Sequence, residues 1–241
     1  MDWDLKSTRF KEHCGISSRT NYWEILTGFH RPTFMRIEWL GRIEYQTGLE
    51  IQNKRLESCL SDGVESVILL EHEPVYTIGR LPDKSSLRNA DRLPYPVFEI
   101  NRGGQATYHG PGQLVGYPML DLRLRNRDLH HYLRKLERLL IGLLADFGIR
   151  GASIEGKTGV WIEDRKIASI GVGVRKWVTM HGFALNVASD LRGFENITPC
   201  GITGVRMTSI SNELERGISM ETVREKLVPH LYRPLEPEAP L

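Results

Sequence analysis

The residues best suited to chemistry lie in a glycine-rich stretch at residues 101–121. It contains five glycines and two prolines, with polar side chains between them at Arg102, Thr107, Tyr108, His109 and Gln113. Glycine lets the backbone approach a ligand closely and adopt positive φ, at a cost in chain entropy. A spacer has no need of an arginine, a tyrosine and a histidine, so this pattern predicts a binding surface.

A second candidate is the thiol of Cys200, which stands between Pro199 and Gly201. The proline fixes the backbone and the glycine allows a sharp turn, so the thiol can be held at the edge of a cleft. A nucleophilic cysteine reacts as its thiolate, so a cationic or basic neighbour must lower its ordinary pKa of roughly 8.5. The alternative is a small, inert, buried residue, which is what we expect for Cys59.

Three residues are candidates for that neighbour: His109, His181 and Lys166. Lys166 begins an otherwise apolar strand-like run, where a lysine is commonly an exposed edge residue. His181 opens the segment His-Gly-Phe-Ala-Leu-Asn, in which a histidine with a structural role fits equally well. Residue spacing does not choose among the three.

Residues 151–158 match the phosphate-loop pattern G-x-x-x-x-G-K-[ST] in every letter. A phosphate loop follows a strand and precedes a helix, whose first amides hold the phosphate. Here a leucine-rich helical pattern precedes the segment, and the strand-like run at 159–163 follows it. We therefore interpret 151–158 as a connecting loop.

Two further polar groups are interpreted as solvent-exposed. His72 lies between two glutamates and has no second histidine at helical spacing, so we expect a solvated turn rather than a metal ligand. A basic cluster is formed by Arg123, Arg125, Arg127, Arg134, Lys135 and Arg138. We interpret this cluster as a solvated helix face, where an acidic protein partner could dock.

Composition limits the class of protein. The 241 residues suit one medium domain, or one domain with an extension. A net charge of +2 argues against a dedicated nucleic-acid binder, and no apolar run is long enough to span a membrane. Three widely spaced cysteines form neither a disulfide framework nor a zinc site, so we expect a reducing, cytoplasmic location.

The elements that must position these residues follow from the spacing of apolar side chains. Helices are predicted at 42–58, 128–147 and 220–232, with a short one near 206–214. Strands are predicted at 37–39, 64–70, 75–78, 97–100, 114–120, 159–163, 166–174 and 178–187. Few helices beside a mixed β-sheet indicate the α+β class. Residues 1–34 lack this organisation, and we expect a disordered or untranslated N-terminal extension before a single catalytic domain at 35–241.

Four segments taken together resemble the lipoyl(octanoyl) transferase family: 102–113, 166–171, 181–186 and 199–201. They occur in the family's order, and the likeness runs from about Met35 to the last helix. The resemblance implies the fold of biotin and lipoate protein ligases, a mixed sheet packed by helices. It also implies a cytoplasmic monomer that moves an octanoyl group from acyl carrier protein to a lysine of a lipoyl domain. The acceptors would be 2-oxoacid dehydrogenase complexes and glycine cleavage H protein, and neither ATP nor a metal or other cofactor would be needed.

The resemblance also assigns roles to residues. Cys200 matches the nucleophile that carries the acyl group as a thioester, and Lys166 matches the lysine that lowers the pKa of that cysteine and accepts a proton. The implied substrate-binding residues are Arg102, Gly103, Gly104, Gln105, Ala106, Thr107, Tyr108, His109, Ser169, Ile170, Gly171, Gly182, Phe183 and Ala184. Backbone amides of the glycine-rich stretch would stabilise tetrahedral oxyanions. Val, Ile and Tyr side chains of the flanking strands would line an apolar tunnel for the acyl chain.

Two alternatives stay open. An ATP-dependent lipoate or biotin ligase of the same fold would hold an acyl-adenylate, usually through a Gly-Arg-Gly-rich nucleotide loop that this sequence lacks. Such a ligase would not require Cys200. A non-catalytic scaffold that binds carrier protein would keep the fold and form no acyl-enzyme.

Overall fold

The structure is a computed structural model that describes residues 35–80, 85–87, 92–199 and 204–235. The predicted N-terminal extension lies outside the described residues, and so does Cys200. No helix among these residues is long and apolar enough to cross a membrane.

Eleven strands are formed by the described residues. In chain order they are β1 (Arg36–Ile43), β2 (Ser66–His72), β3 (Val75–Ile78), β4 (Val97–Glu99), β5 (Thr107–His109), β6 (Gln113–Met119), β7 (Ala152–Ile154), β8 (Lys157–Ile162), β9 (Arg165–Arg175), β10 (Val178–Asn186) and β11 (Arg206–Met207). The main sheet has the order β1-β2-β6-β10-β9-β8-β7, with β11 beside β9. A small sheet has the order β4-β3-β5. The β1–β2 and β9–β11 pairs are parallel and the other main-sheet pairs are antiparallel, so the predicted mixed sheet is confirmed.

Helices cover both faces of the main sheet. They are α1 (Tyr45–Asp62), α2 (Leu129–Ala145), the short α3 (Ile210–Leu214) and α4 (Met220–Leu235). Successive strand residues point to opposite faces. Leu69 accordingly belongs to the core that includes buried leucines of α2 and α4, whereas its neighbour Ile68 packs with Leu56 of α1. Because both faces are covered, β2 and β6 are buried along their whole length.

The helix ends follow the expected chemistry. Asp128 caps α2 by accepting a hydrogen bond from the His131 amide, and Ser219 accepts one from the Thr222 amide at the start of α4. Gly148 follows α2 with a φ of +74°. α1 begins three residues later than predicted, because residues 42 and 43 still pair with β2.

The predicted basic cluster does not form one solvated face. Arg125 is buried and donates to both carboxylate oxygens of Glu65, at 2.6 and 2.8 Å, and to the Leu235 carbonyl. Lys135 is also buried, whereas Arg138 is exposed. The interpretation of the cluster as a single solvent-exposed face is therefore wrong. Arg125 instead links the start of β2 to the last described turn of α4 through buried hydrogen bonds.

The phosphate-like segment is part of a β-hairpin. β7 and β8 pair across a turn that contains Gly156 at a φ of +74°. No helix follows the segment, so a nucleotide-binding loop is excluded on its geometry. The predicted short helix near 206–214 also differs, because residues 206 and 207 pair with β9 as β11 and the helix begins at Ile210.

Candidate active site

A pocket opens where the glycine-rich stretch crosses the middle of the main sheet. Its walls come from α1, β5, β6, β9, β10 and the loop before β5, and it encloses about 460 Å³ including its open mouth. The lining residues are Tyr45, Ile100, Arg102, Gly104, Thr107, His109, Val115, Tyr117, Ser169, Ile170, Gly171, His181, Gly182, Phe183 and Ala184.

The structure brings ten of the implied substrate-binding residues to this pocket. They are Arg102, Gly104, Thr107, His109, Ser169, Ile170, Gly171, Gly182, Phe183 and Ala184. Ala106 and Tyr108 instead lie in a separate apolar cluster with Tyr76 and Phe194. Strand alternation explains this division, since Thr107 and His109 share one face of β5 and Tyr108 takes the other.

Glycine is required where the glycine-rich stretch lies against β9. A Cβ atom at Gly171 would lie 2.9 Å from Cδ of Arg102 and 3.2 Å from the Gly103 carbonyl oxygen. At Gly173 it would lie 2.3 Å from the Asn101 carbonyl oxygen. The Gly103 amide donates to the Val172 carbonyl at 3.0 Å, so the stretch is fixed directly on the strand.

His109 is held as a neutral imidazole by a chain of hydrogen bonds. The amide group of Gln113 donates to Asn186 Oδ1 (2.9 Å) and to the Tyr108 carbonyl (3.2 Å), so its oxygen accepts from His109 Nδ1 at 2.7 Å. Nε2 of His109 is then an acceptor and faces the Thr77 hydroxyl at 3.4 Å. Burial, with the nearby His72 second, lowers the pKa of His109 to about 3.

Arg102 is the charged side chain of the pocket wall. It is buried and donates to the carbonyl and the hydroxyl of Thr77, at 3.1 and 2.9 Å, and to the Gly103 carbonyl at 2.9 Å. Its positive charge also lowers the pKa of His109 and His181. The guanidinium therefore favours neutral histidines around it.

His72 lies directly behind the pocket, and the prediction of a solvated turn is wrong. It is fully buried in β2, with Nδ1 at 3.2 Å from the Ile43 carbonyl and Nε2 at 2.7 Å from the Tyr117 hydroxyl. A carbonyl can only accept, so Nδ1 carries the proton and Tyr117 donates to Nε2. Burial lowers the pKa of His72 to about 4 and raises that of Tyr117 well above its usual value. Tyr45 packs edge-on against the His72 ring, with the ring centroids 4.8 Å apart.

His181 is the strained residue of the site. Its φ is +57° in the middle of β10, a region that non-glycine residues rarely adopt. Its amide turns toward α1 and donates to Gln52 Oε1 at 2.7 Å. Burial, with Arg102 second, lowers the pKa of His181 to about 4.

Two hydroxyls in the pocket wall have no hydrogen-bond partner among the described residues. They belong to Thr107 on β5 and Ser169 on β9, which are 5% and 8% exposed. A buried hydroxyl without a partner is destabilising. Both groups are therefore available to a bound ligand.

Lys166 is fully buried, so the expectation of an exposed edge lysine is wrong. Its ammonium donates to the Thr158 carbonyl at 2.9 Å and lies 5.3 Å from the centre of the Trp161 ring. A Cβ atom at Gly159 would lie 2.5 Å from Lys166 Cε, so glycine provides the space for this side chain.

The described residues on both sides of Cys200 are hydrogen-bonded to other segments of the chain. The Thr198 amide donates to the Ser86 carbonyl at 2.8 Å. On the other side, Met207 pairs with Lys166, and the Thr208 amide donates to the Lys166 carbonyl at 3.0 Å. Cys59 is buried as predicted, and burial, with the acidic Glu65 second, raises the pKa of its thiol to about 12.

Sequence reasoning missed Tyr45, Tyr117 and the supporting His72. Tyr45 falls in the helix predicted at 42–58 and Tyr117 in the strand predicted at 114–120, and the sequence pattern assigns neither a role in the site. The sequence did contain a signal for these three residues. Each is a hydrogen-bonding side chain in an apolar run, and such a side chain requires a partner when it is buried. Among the described residues, no group of three or more His, Cys, Asp or Glu side chains is arranged to hold a metal ion.

Comparison with known proteins agrees with this architecture. The family model described as the lipoyl protein ligase A/B catalytic domain matches residues 44–232. The octanoyltransferase of Syntrophotalea carbinolica is 49% identical over 208 residues, which cover 86% of this chain and 97% of the relative.

Solved structures share the fold at low sequence identity. A bi-partite lipoate protein ligase from Thermoplasma acidophilum matches with a TM-score of 0.64 at 16% identity, covering 83% of each chain. A biotin protein ligase from Aquifex aeolicus, in complex with biotin and ATP, matches with a TM-score of 0.52 at 14% identity, covering 84% of this chain and 71% of that one. The predicted α+β fold of the lipoate and biotin ligases is thus confirmed, and the chain belongs to the lipoyl protein ligase A/B catalytic domain family, within it to the octanoyltransferases.

Proposed function

We propose that this acyltransferase moves an octanoyl group from octanoyl-acyl carrier protein to a lysine of a lipoyl domain, through a thioester on Cys200. The observation that carries the proposal is the pocket, in which three separate motif segments meet around one cavity. The segments 102–109, 169–171 and 182–184 come from different parts of the chain. The last two pair as neighbouring strands, and the first is hydrogen-bonded to β9 through the Gly103 amide. The octanoyltransferase relatives support the octanoyl group as the cargo.

The walls of the pocket suit an uncharged acyl chain. Val115 and Ala184 provide apolar surface on the α1 side of the sheet, whereas the side chains of Ile170 and Phe183 belong to the core on the other face. The histidines are neutral near pH 7, because burial lowers the pKa of His109 and His181 far below that pH. An alkyl chain therefore meets little charge beyond Arg102, whose guanidinium is already engaged by Thr77 and Gly103.

In the first step, the thiolate of Cys200 attacks the thioester carbonyl of the carrier. The carbon–sulfur bond to the phosphopantetheine arm breaks, and the leaving thiolate takes a proton from the Lys166 ammonium. Lys166 stabilises the Cys200 thiolate beforehand by its positive charge. One thioester replaces another, so the step is nearly isoenergetic and we propose that no ATP or metal takes part.

In the second step, the amine of the acceptor lysine attacks the Cys200 thioester. The new amide bond forms, Cys200 leaves as a thiolate, and the now neutral Lys166 accepts the proton of the attacking amine. This proton returns Lys166 to its starting state. A positioned base of this kind typically contributes roughly a hundred- to ten-thousand-fold in rate.

The test is intact-mass analysis of the protein after incubation with octanoyl-acyl carrier protein. We expect one octanoyl group on the wild type and none on Cys200→Ser. Cys59→Ala is the matched control and should keep the adduct, because the buried Cys59 thiol has a pKa raised to about 12. Adding a lipoyl domain without ATP should then move the octanoyl group to that domain.

Each alternative predicts a different result in the same assay. Octanoylation of the lipoyl domain that appears only with ATP favours a ligase and refutes the thioester route. A wild-type protein that binds the carrier but gains no octanoyl group favours a non-catalytic scaffold. Loss of the adduct in Cys59→Ala but not in Cys200→Ser would show that the nucleophile is Cys59 and that the assignment to Cys200 is wrong.

A further inference from the structure

One buried carboxylate near Lys166 takes no part in the proposed reaction. Glu137 of α2 is only 1% exposed and lies beneath the β8 strand. Its Oε1 accepts a hydrogen bond from the Gly159 amide at 3.0 Å. Arg134 Nη1 approaches Oε2 to 2.6 Å from the solvent side, with 42% of its own side chain exposed.

The Gly159 amide belongs to the same peptide group as the Thr158 carbonyl. That carbonyl accepts the hydrogen bond from the Lys166 ammonium at 2.9 Å. A single peptide group therefore has the Glu137 carboxylate at its N–H end and the Lys166 ammonium at its C=O end. Its dipole is aligned with both charges, which favours this arrangement.

The backbone at this peptide departs from regular strand geometry. Gly159 has a φ of +130°, a conformation that glycine adopts freely and other residues rarely do. The β8–β9 register also shifts at Val160 and Trp161, so regular ladder pairing is interrupted at this point. At this interruption the acceptor for the Gly159 amide is a side chain, the Glu137 carboxylate.

We propose that Glu137 is a positioning residue for Lys166, acting through the peptide between Thr158 and Gly159. Its carboxylate fixes the amide, the fixed amide turns the Thr158 carbonyl toward the lysine, and the lysine is held at one place in the site. This inference rests on the proposed role of Lys166 beside Cys200. Arg134, Lys157 and Lys166 are the charged groups that face this region from α2, β8 and β9, with Lys157 5.6 Å from the Trp161 ring.

The test measures the rate of Cys200 alkylation by iodoacetamide as a function of pH, with peptide mapping to separate Cys200 from Cys14 and Cys59. Glu137→Met keeps the side-chain volume and removes the acceptor. We expect its half-maximal alkylation to move up by about one pH unit, in the direction of Lys166→Ala. Glu137→Gln keeps an acceptor oxygen and should restore the wild-type profile to within a few tenths of a unit. Arg138→Ala, an exposed neighbour on α2, is the matched control and should not change the profile.

Glu137→Met is also combined with Lys166→Ala. Because Glu137 acts through the lysine, the double variant should match Lys166→Ala alone in profile and in acyl-transfer rate. An unchanged profile in Glu137→Met, no rescue by Glu137→Gln, or a further loss in the double variant overturns the inference. Glu137→Ala replaces the methionine variant if circular dichroism shows that the latter is unfolded.

The alkylation assay needs no acyl substrate, so it separates this inference from the proposed function. If the wild type gains no octanoyl group, the proposed function is refuted. The pH profiles of Cys200 alkylation then still decide whether Glu137 positions Lys166. In acyl transfer, Glu137→Met should lower the turnover rate roughly tenfold while the KM for octanoyl-carrier protein stays within about twofold.

Discussion

The buried neutral His72 makes a quantitative prediction about stability and pH. Its pKa is lowered from 6.5 to about 4 by burial, and a tenfold change in proton affinity corresponds to about 1.4 kcal/mol. Between pH 6.5 and 4 the unfolded histidine binds a proton that the native one does not. The contribution of His72 to the unfolding free energy is therefore complete above pH 6.5 and is lost as the pH falls to about 4. The expected loss is about 3 kcal/mol.

The assay is urea unfolding, followed by circular dichroism at several pH values from 7 to 4.5, of the wild type and His72→Gln. Glutamine can replace both hydrogen bonds, donating to the Ile43 carbonyl and accepting from Tyr117, but it does not titrate. At pH 7 we expect the variant to be less stable by about 1–2 kcal/mol. As the pH falls, the wild type should lose more stability, so the two curves should converge and cross.

His109 and His181 titrate in the same acidic window, so only the difference between wild type and variant reports on His72. Their pKa values are likewise lowered mainly by burial. If the two stability curves run parallel from pH 7 to 4.5, His72 is not a buried neutral imidazole and the reasoning fails.

Three further substitutions test the packing around the pocket. Gly48→Ala should destabilise the protein although alanine favours helices, because its Cβ would lie 2.7 Å from Cε1 of the fixed His72 ring. Thermal melts compare this variant with Thr47→Ala on the exposed side of α1. Equal melting temperatures for the two variants would contradict the prediction. Thr107→Val removes a hydroxyl without a hydrogen-bond partner and keeps the shape of the side chain, so urea unfolding should show unchanged or higher stability. The KM for octanoyl-carrier protein should rise several-fold. An unchanged KM would mean that this hydroxyl does not contact the substrate. Glu65→Gln should lower the unfolding free energy by about 3–5 kcal/mol, because it leaves the buried Arg125 charge without its carboxylate, and a loss below 1 kcal/mol in urea unfolding would contradict this reasoning.

The elements were predictable where local sequence alone specifies them. The leucines of α2 recur every three or four residues and end at Gly148, so their helix follows from periodicity and a cap. The strands β8, β9 and β10 follow from apolar runs separated by short segments that contain charged residues. In both cases the signal and the structure lie in the same short segment.

The environment of single polar residues could not be predicted in this way. Lys166 is buried because a carbonyl and an indole ring from β8 surround it, and His72 because its partners lie at Ile43 and Tyr117. Those partners are 5 to 45 positions away and lie on neighbouring strands, so residue spacing along the chain does not reveal them. The site residues came instead from four motifs taken together, and the roles of Cys200 and Lys166 stay predictions.

The way the pocket is built affects how the protein folds and how well it resists proteolysis in the cell. Its walls come from residues as far apart in the chain as Tyr45 and Ala184, and they meet only after β6, β9 and β10 have paired. Contacts between such distant segments form slowly, and the pocket exists only after these strands have paired. A ligand in this pocket therefore binds the complete domain and not its unfolded or partly folded forms. By mass action, occupancy by acyl substrate should stabilise the whole domain, so the supply of substrate would also set the protein's resistance to proteolysis.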